Sequence, residues 1–394
     1  MSIVNSLPKT ADIVILGAGV MGASIAFHLA KRQPGSIVVI DKDHVGRGGS
    51  GRSSALVRMH YSYPPEVQLA LISLRIFENW QEIVGEPGDF RKTGFVRIVH
   101  SNETERLKLN VAMQQKLGVN VTLINGHELH ELEVDWNVRE VELAAYEPYS
   151  GYGDGAGVAN DFLNRARDLG VRYLPRTHAI AFKVHAGRVV GVITSQGEIT
   201  APVVVAATGP WTRPLFQFVG YDLPIETEFH QVAILKNPPG MKGGGCACID
   251  SVTATYFRSD AHDKFLIGDF YGQRPVDAEN FPQRASDEGL EELIERACRR
   301  IPKLENAEVM RGVTGVYDMT PDSRPLLGEI PGIRGLHVCA GFSGMGFKIS
   351  PAIGLVMSEL LLDGKATSVD ISSFRPNRFA EGQPIRAEYE YQDD

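Results

Sequence analysis

Hydrophobic residues along this chain change period repeatedly, and each change marks an element. Residues 11–16 form a short run rich in isoleucine and valine, which predicts a buried strand. Beyond Gly17, the apolar positions Met21, Ile25 and Leu29 fall at helical spacing until Gln33, Pro34 and Gly35 stop the pattern. Ile37–Ile40 predicts a second buried strand, closed by Asp41. A polar glycine-rich loop occupies residues 48–54. Residues 65–84 return to helical spacing, with Leu69, Ser73, Phe77 and Trp80 on neighbouring turns. Residues 95–99 alternate as a strand, and residues 103–117 and 159–169 read as helices, the second ended by Gly170. Strands are predicted at residues 171–174, 181–184, 189–194 and 203–207. The stretch from Pro224 to Lys264 is rich in β-branched and aromatic residues. Residues 288–300 read as a helix, residues 336–339 as a last buried strand, and residues 351–362 as a last helix ended by Asp363 and Gly364. The tail beyond Arg375 is polar and acidic, so it is expected on the surface.

Strands and helices alternate at the start, middle and end of the chain, with β-rich stretches between them. This predicts an α/β (α+β) fold with a discontinuous nucleotide-binding domain from residues 1–95, 147–223 and 310–375. A β-sheet-rich substrate domain of residues 96–146 and 224–309 is interleaved with it, and residues 376–394 form a surface tail. The chain of 394 residues with 43% hydrophobic content is long enough for two such units. Its formal charge of −8 is scattered, which argues against a nucleic-acid partner because phosphate binding needs a basic surface. No apolar run is long enough to span a membrane, and no basic-then-apolar leader is seen, so a cytoplasmic protein is expected. Cys246 and Cys248 form a Cys-x-Cys pair without further ligands nearby, which reads as reduced cysteine and no metal site.

Between the first strand and its helix stands Gly17-Ala18-Gly19-Val20-Met21-Gly22. Gly17 permits a tight turn, Gly19 lets the backbone approach a pyrophosphate, and Gly22 lets the helix pack closely on the sheet. Val20 and Met21 lie at the helix start, whose N–H groups bind phosphate. Asp41, nineteen residues beyond Gly22, is placed to bond ribose hydroxyls and disfavours a 2′-phosphate; Lys42 follows it. NAD and FAD share this fingerprint. Near the C-terminus, Gly341-Phe342-Ser343-Gly344-Met345-Gly346-Phe347-Lys348 forms a second glycine cluster ahead of a helix, suited to something flat and anionic. The separation of the clusters fits FAD, whose flavin lies far from its adenine.

Four blocks together resemble the FAD-dependent amine and amino-acid oxidoreductases of the D-amino-acid oxidase superfamily, nearest to sarcosine oxidases and the sarcosine oxidase β-subunit. They are the first glycine motif with Asp41; residues 51–58 (Gly-Arg-Ser-Ser-Ala-Leu-Val-Arg); residues 206–211 (Ala-Ala-Thr-Gly-Pro-Trp); and Thr320-Pro321-Asp322 with residues 341–348. The resemblance implies a tightly bound FAD. Gly51, Arg52, Ser53 and Ser54 would line the pyrophosphate and flavin edge. Thr208, Gly209 and Trp211 would close the dinucleotide strand, and Val184 would meet the adenine through its backbone. Gly344, Met345, Gly346, Phe347 and Lys348 would flank the flavin pyrimidine. A helix start and a lysine there would stabilise the negative charge of reduced flavin. Gly315, Ser53 and Gly153 stand where relatives attach flavin covalently, so non-covalent FAD and no FMN are expected. Leu266 stands in place of an oxygen-activating lysine, and Lys264 is expected to face elsewhere. Oxygen or an electron carrier is therefore left open as the acceptor.

An amino-acid substrate brings a carboxylate, and a buried carboxylate needs a cation. The resemblance assigns Arg58 and Lys348 to it, with Tyr256 and Tyr317 flanking the substrate. Arg258, two residues from Tyr256 on one strand face, could add a cation, and His60 could line the entrance. No general base is required, because a neutral amine can pass hydride to flavin directly. The expected reaction is oxidation of a secondary or N-methylated amino acid to an imine. The alternatives are a primary or D-amino acid as donor, and a flavoprotein assembly factor or complex subunit, since residues 68–71 (Gln-Leu-Ala-Leu) resemble such factors. A homo- or hetero-oligomer is compatible with either.

Overall fold

The computed structural model describes residues 6–241, 245–260, 263–272 and 275–391. Four short strands, Arg172–Leu174, Ile37–Ile40, Ile13–Leu16 and Val203–Ala206, run parallel side by side. Leu336–Ala340 continues the parallel order, and Leu326–Glu329 closes the edge antiparallel. The continuous apolar runs of Ile37–Ile40, Ile13–Leu16 and Val203–Ala206 suit a sheet covered on both faces. On one face, helix Val20–Arg32 lies against helices Gly155–Asp168 and Gly346–Asp363. Phe27 meets Phe162 with ring centroids 5.3 Å apart. Gly354 permits the other crossing, since a Cβ there would come 2.1 Å from Ser24 Oγ and 2.6 Å from Ser24 O.

The β-rich stretches form an eight-stranded sheet. Its order is Glu308–Met319, Glu226–Lys236, Lys264–Asp269, Thr255–Asp260, Ala247–Asp250, Phe95–Ile98, Leu143–Glu147 and Thr122–Asn125. One face packs Val96, Cys248, Phe257 and Ile267 against Leu290, Leu293 and Ala297 of helix Asp287–Arg300. By alternation the other face presents Phe95, Arg97, Tyr256, Arg258 and Leu266. Leu56 packs on this second face. The mixed α/β class is thus the one expected.

Several expectations shift. Strand Glu308–Met319 was not predicted. It pairs along its length with Glu226–Lys236, so the expected boundary at 309/310 falls inside a strand that the eight-stranded sheet keeps through Met319. The last helix starts at Gly346, five residues early, and takes Pro351 into its interior. Proline cannot donate to the Phe347 carbonyl, but Ser350 Oγ does, at 2.8 Å. The tail is not a surface tail. Arg378 is fully buried, with two bonds to Asp322 (2.7 and 2.8 Å) and one to the Arg324 carbonyl (2.7 Å). Ile385 and Tyr391 join the main core. Among the described residues no helix is long and apolar enough to cross a membrane.

Candidate active site

A cavity of about 1140 Å³ follows the C-terminal ends of the parallel strands and runs toward the eight-stranded sheet. Its first end is a backbone construction. Gly17 has φ +98°, and a Cβ on it would lie 2.4 Å from Ala207 O. On Gly22 a Cβ would lie 1.9 Å from Gly17 O, so the helix is seated directly on the turn. Asp41 accepts N–H bonds from Ala18 (2.7 Å) and Asp43 (2.8 Å); burial pushes its carboxyl pKa up and these bonds pull it back. Ser50 Oγ accepts from Val20 N at 3.0 Å, drawing the 48–54 loop onto the helix start. Lys42 Nζ sits 3.9 Å from the Trp211 ring and 2.5 Å from Glu279, so the 275–283 segment reaches across this end.

Of the expected cofactor residues, the cavity is lined by Gly17, Gly19, Val20, Met21, Asp41, Lys42, Arg52, Ser53, Ser54, Thr208, Gly209, Trp211, Gly344, Gly346, Phe347 and Lys348. Four lie outside the lining. Gly22 packs on the turn. Gly51 lies against Gly46, whose O would be 2.6 Å from a Cβ. Met345 belongs to the helix core. Val184 is 38% exposed near the far end of strand Ala179–His185, beside its hairpin turn; Thr177, His178, Ala179 and Ile180 line the cavity instead.

The second end is made of side chains. Gly341 and Gly344 have positive φ, and Gly341 N donates to Asp318 Oδ2 at 2.6 Å. Burial raises the Asp318 pKa from 3.8 to about 6. Gly344 lies under Tyr317, whose Cε2 would be 2.9 Å from a Cβ. Tyr256 crosses Gly268, where a Cβ would sit 1.9 Å from its Cζ, and its hydroxyl stands 3.5 Å from that of Tyr317. Burial pushes both phenol pKa values up. His230 stacks on Tyr317 at 3.9 Å.

Lys348 is 7% exposed and donates to Gly344 O at 3.2 Å. Burial first, and then Arg58, depress its pKa well below the usual lysine value. Arg58 donates to the His60 carbonyl, stacks 4.3 Å from the Tyr61 ring, and leaves its buried Nε without a partner among the described residues. Neither cation is ion-paired with a carboxylate among the described residues. Fully buried Glu147 feels Arg58 without ion-pairing to it; its Oε2 accepts from Met59 N and Ser150 Oγ, its Oε1 has no partner among the described residues, and burial raises its pKa.

Tyr317 and Lys348 line the cavity; Arg58, Tyr256, Arg258 and His60 do not. Arg258 is not a spare cation. It shares Tyr256's strand face, as alternation requires, but so does Asp260, which it binds at 2.9 Å. It also donates to Ser54 O at 2.7 Å. His60 is not at an entrance. It is buried, with Nε2 2.8 Å from the Tyr391 hydroxyl. Leu266 is buried beside Tyr256 and Leu56. Lys264 shares Leu266's side of the strand by alternation, at the strand's outer end.

The cavity suits a dinucleotide carrying a flat ring system. Its glycines leave no room for side chains at the turn, and the buried Trp211 Nε1 that borders it has no partner among the described residues. The sequence signature of the FAD dependent oxidoreductase family (DAO) matches residues 12–360, so the chain belongs to that family and is a FAD-dependent oxidoreductase. The chain is 24% identical over 388 residues to mitochondrial dimethylglycine dehydrogenase of Rattus norvegicus, covering 94% of this chain and 45% of the relative. It thus spans about half the length of that protein. It is 26% identical to sarcosine oxidase subunit beta of Rhodobacter capsulatus, over 96% of this chain and 90% of the relative. Among solved structures, L-proline dehydrogenase from P. horikoshii superposes with a TM-score of 0.90 at 28% identity, over 96% of this chain and all of that one.

Sequence reasoning missed Asp318, residues 177–180, Arg97 and Tyr391. Arg97 had a usable signal: it is a charge at the inward position of an otherwise apolar alternating strand, Phe95–Ile98. The other three depend on how distant segments meet.

Proposed function

We propose that this enzyme oxidises a secondary or N-methylated α-amino acid to its imine, which water then hydrolyses. The observation that carries this reading is a pair of cations, Lys348 in the cavity wall and Arg58 beside it outside the lining, close enough to repel and lacking an ion-paired carboxylate among the described residues. Two such charges left together are costly, and a substrate carboxylate would relieve the cost. The guanidinium fork fixes the plane of that carboxylate, and the ammonium holds its other side. Tyr256 and Tyr317 supply hydroxyls and ring faces that orient the amine and exclude water. FAD, when bound, supplies the two-electron acceptor. The names of the relatives, which specify dimethylglycine, sarcosine and proline, fit an N-substituted amino acid. Non-covalent attachment fits Gly315 and Ser53. The aliphatic Leu266 offers no charge for oxygen activation, which suits an electron carrier as acceptor. An assembly factor has no use for two unpaired cations beside its cofactor.

Anaerobic titration of the holoenzyme with a panel of N-methyl, cyclic secondary, primary and D-amino acids tests the reading. We expect secondary amino acids to bleach the flavin. A flavin left oxidised by every amino acid in the panel would overturn the assignment.

A further inference from the structure

Five arginines are buried among the described residues: Arg97, Arg258, Arg300, Arg324 and Arg378. Four of them are ion-paired. Arg258 binds Asp260 (2.9 Å), Arg300 binds Asp250 (2.8 Å), Arg324 binds Glu390 (2.5 Å) and Arg378 binds Asp322 (2.7 Å). That is what a structural buried cation requires. Arg97 is the exception. It is 4% exposed, its Nη1 donates to Ile98 O at 3.2 Å, and its buried Nη2 has no partner among the described residues.

Its place in the sheet is specific. Register aligns Arg97 with Ile249 and Ile249 with Tyr256, so Arg97 and Tyr256 stand in one cross-strand row on one face. The guanidinium carbon lies 5.0 Å from the Tyr391 ring and 5.8 Å from that of Phe270. His60 lies within electrostatic range of both Arg97 and Arg58, which ties Arg97 to the carboxylate clamp. Flanking aromatic rings, an unspent donor and a nearby clamp are what a second anionic group would need, although Arg97 lies outside the cavity lining.

We infer that Arg97 binds a second carboxylate, carried on the substrate's side chain, and that the preferred substrate is a dicarboxylic N-substituted amino acid. Arg58 and Lys348 hold the α-carboxylate, and Arg97 holds the distal one beneath Phe270 and Tyr391. This inference rests on the amino-acid reading above.

The test compares N-methyl-L-aspartate and N-methyl-L-glutamate with N-methyl-L-alanine and sarcosine on the holoenzyme. A buried charge-assisted pair of this kind is worth roughly a hundredfold in kcat/KM. We expect the acidic substrates to lead by about that factor, mainly through KM. Arg97→Gln should collapse the ratio, and Arg97→Lys should restore part of it. Calorimetric binding of succinate should be tighter than that of propionate in the wild type, and the gap should close in Arg97→Gln. The wild-type ratio needs no variant and decides the matter even where a variant folds poorly. Neutral substrates equal to acidic ones, or a ratio untouched by Arg97→Gln, would overturn the inference while leaving the amino-acid reading intact. A flavin bleached by none of the four and by no other amino acid would overturn that reading itself, and this inference with it.

Discussion

The cavity end at Asp41 is made of backbone, and the end at Lys348 is made of side chains. At the first, contacts come from Gly17, Gly22, the helix start and the N–H groups around Asp41, within residues 13–43, joined by Ala207 O against Gly17 and Ser50 at the helix start. At the second, Tyr317 and Lys348 line the cavity with Tyr256 and Arg58 beside them, four residues from distant segments brought together by sheet register and by the 341–346 turn. Backbone geometry tolerates almost no substitution, because a Cβ has nowhere to go. Side-chain geometry tolerates substitution of single residues, and its charges can be tuned. The first end can therefore serve many enzymes unchanged, while on the proposed reading the second sets which molecule is oxidised.

The sharpest way to break this contrast is at Gly22. Gly22→Val puts a branched side chain where a single Cβ already lies 1.9 Å from Gly17 O. Overpacking against backbone that cannot relax is expected to cost about 3 kcal/mol or more. Chemical denaturation should show that loss, and gel filtration should show protein free of flavin. A stable yellow Gly22→Val protein would mean that the first end is not built on backbone contact.

A smaller effect is expected at the second end, from Asp318. Its proton is held up to about pH 6 in the folded chain, against 3.8 unfolded. The sign follows directly: the folded state binds this proton more tightly. The stabilisation is full below 3.8 and is lost as pH rises through 6, amounting to about 3 kcal/mol by linkage. The melting temperature of the wild-type apoprotein should therefore fall between pH 4 and 6 relative to Asp318→Asn. Parallel profiles for the two proteins would remove Asp318 as the titrating group.

The same contrast explains what was legible in the sequence. Strands Ile13–Leu16 and Ile37–Ile40 and the turn between the first and its helix follow from local period and glycine spacing, and they were anticipated closely. Glu308–Met319 was missed because its outer third, residues 308–311, is exposed throughout and sets Val309 and Met310 side by side, which hides the alternation. The final helix was started late because Pro351 reads as an N-terminal residue until Ser350 is seen covering the Phe347 carbonyl. Arg258 looked like a spare cation because sequence gives the face but not the competing Asp260. The tail looked superficial because its average polarity conceals Arg378, Ile385 and Tyr391, each of which finds a buried partner only in three dimensions.

The central claim is that Arg58 and Lys348 together bind a carboxylate beside the cofactor. Titrating the flavin absorbance of the holoenzyme with propionate, which has the carboxylate and no amine, tests it most directly. The account predicts a saturable spectral shift in the wild type. Arg58→Ala should weaken it by the equivalent of roughly 2–5 kcal/mol while the flavin stays bound, and Lys348→Met should weaken it too. Unchanged propionate affinity in both variants would contradict the account.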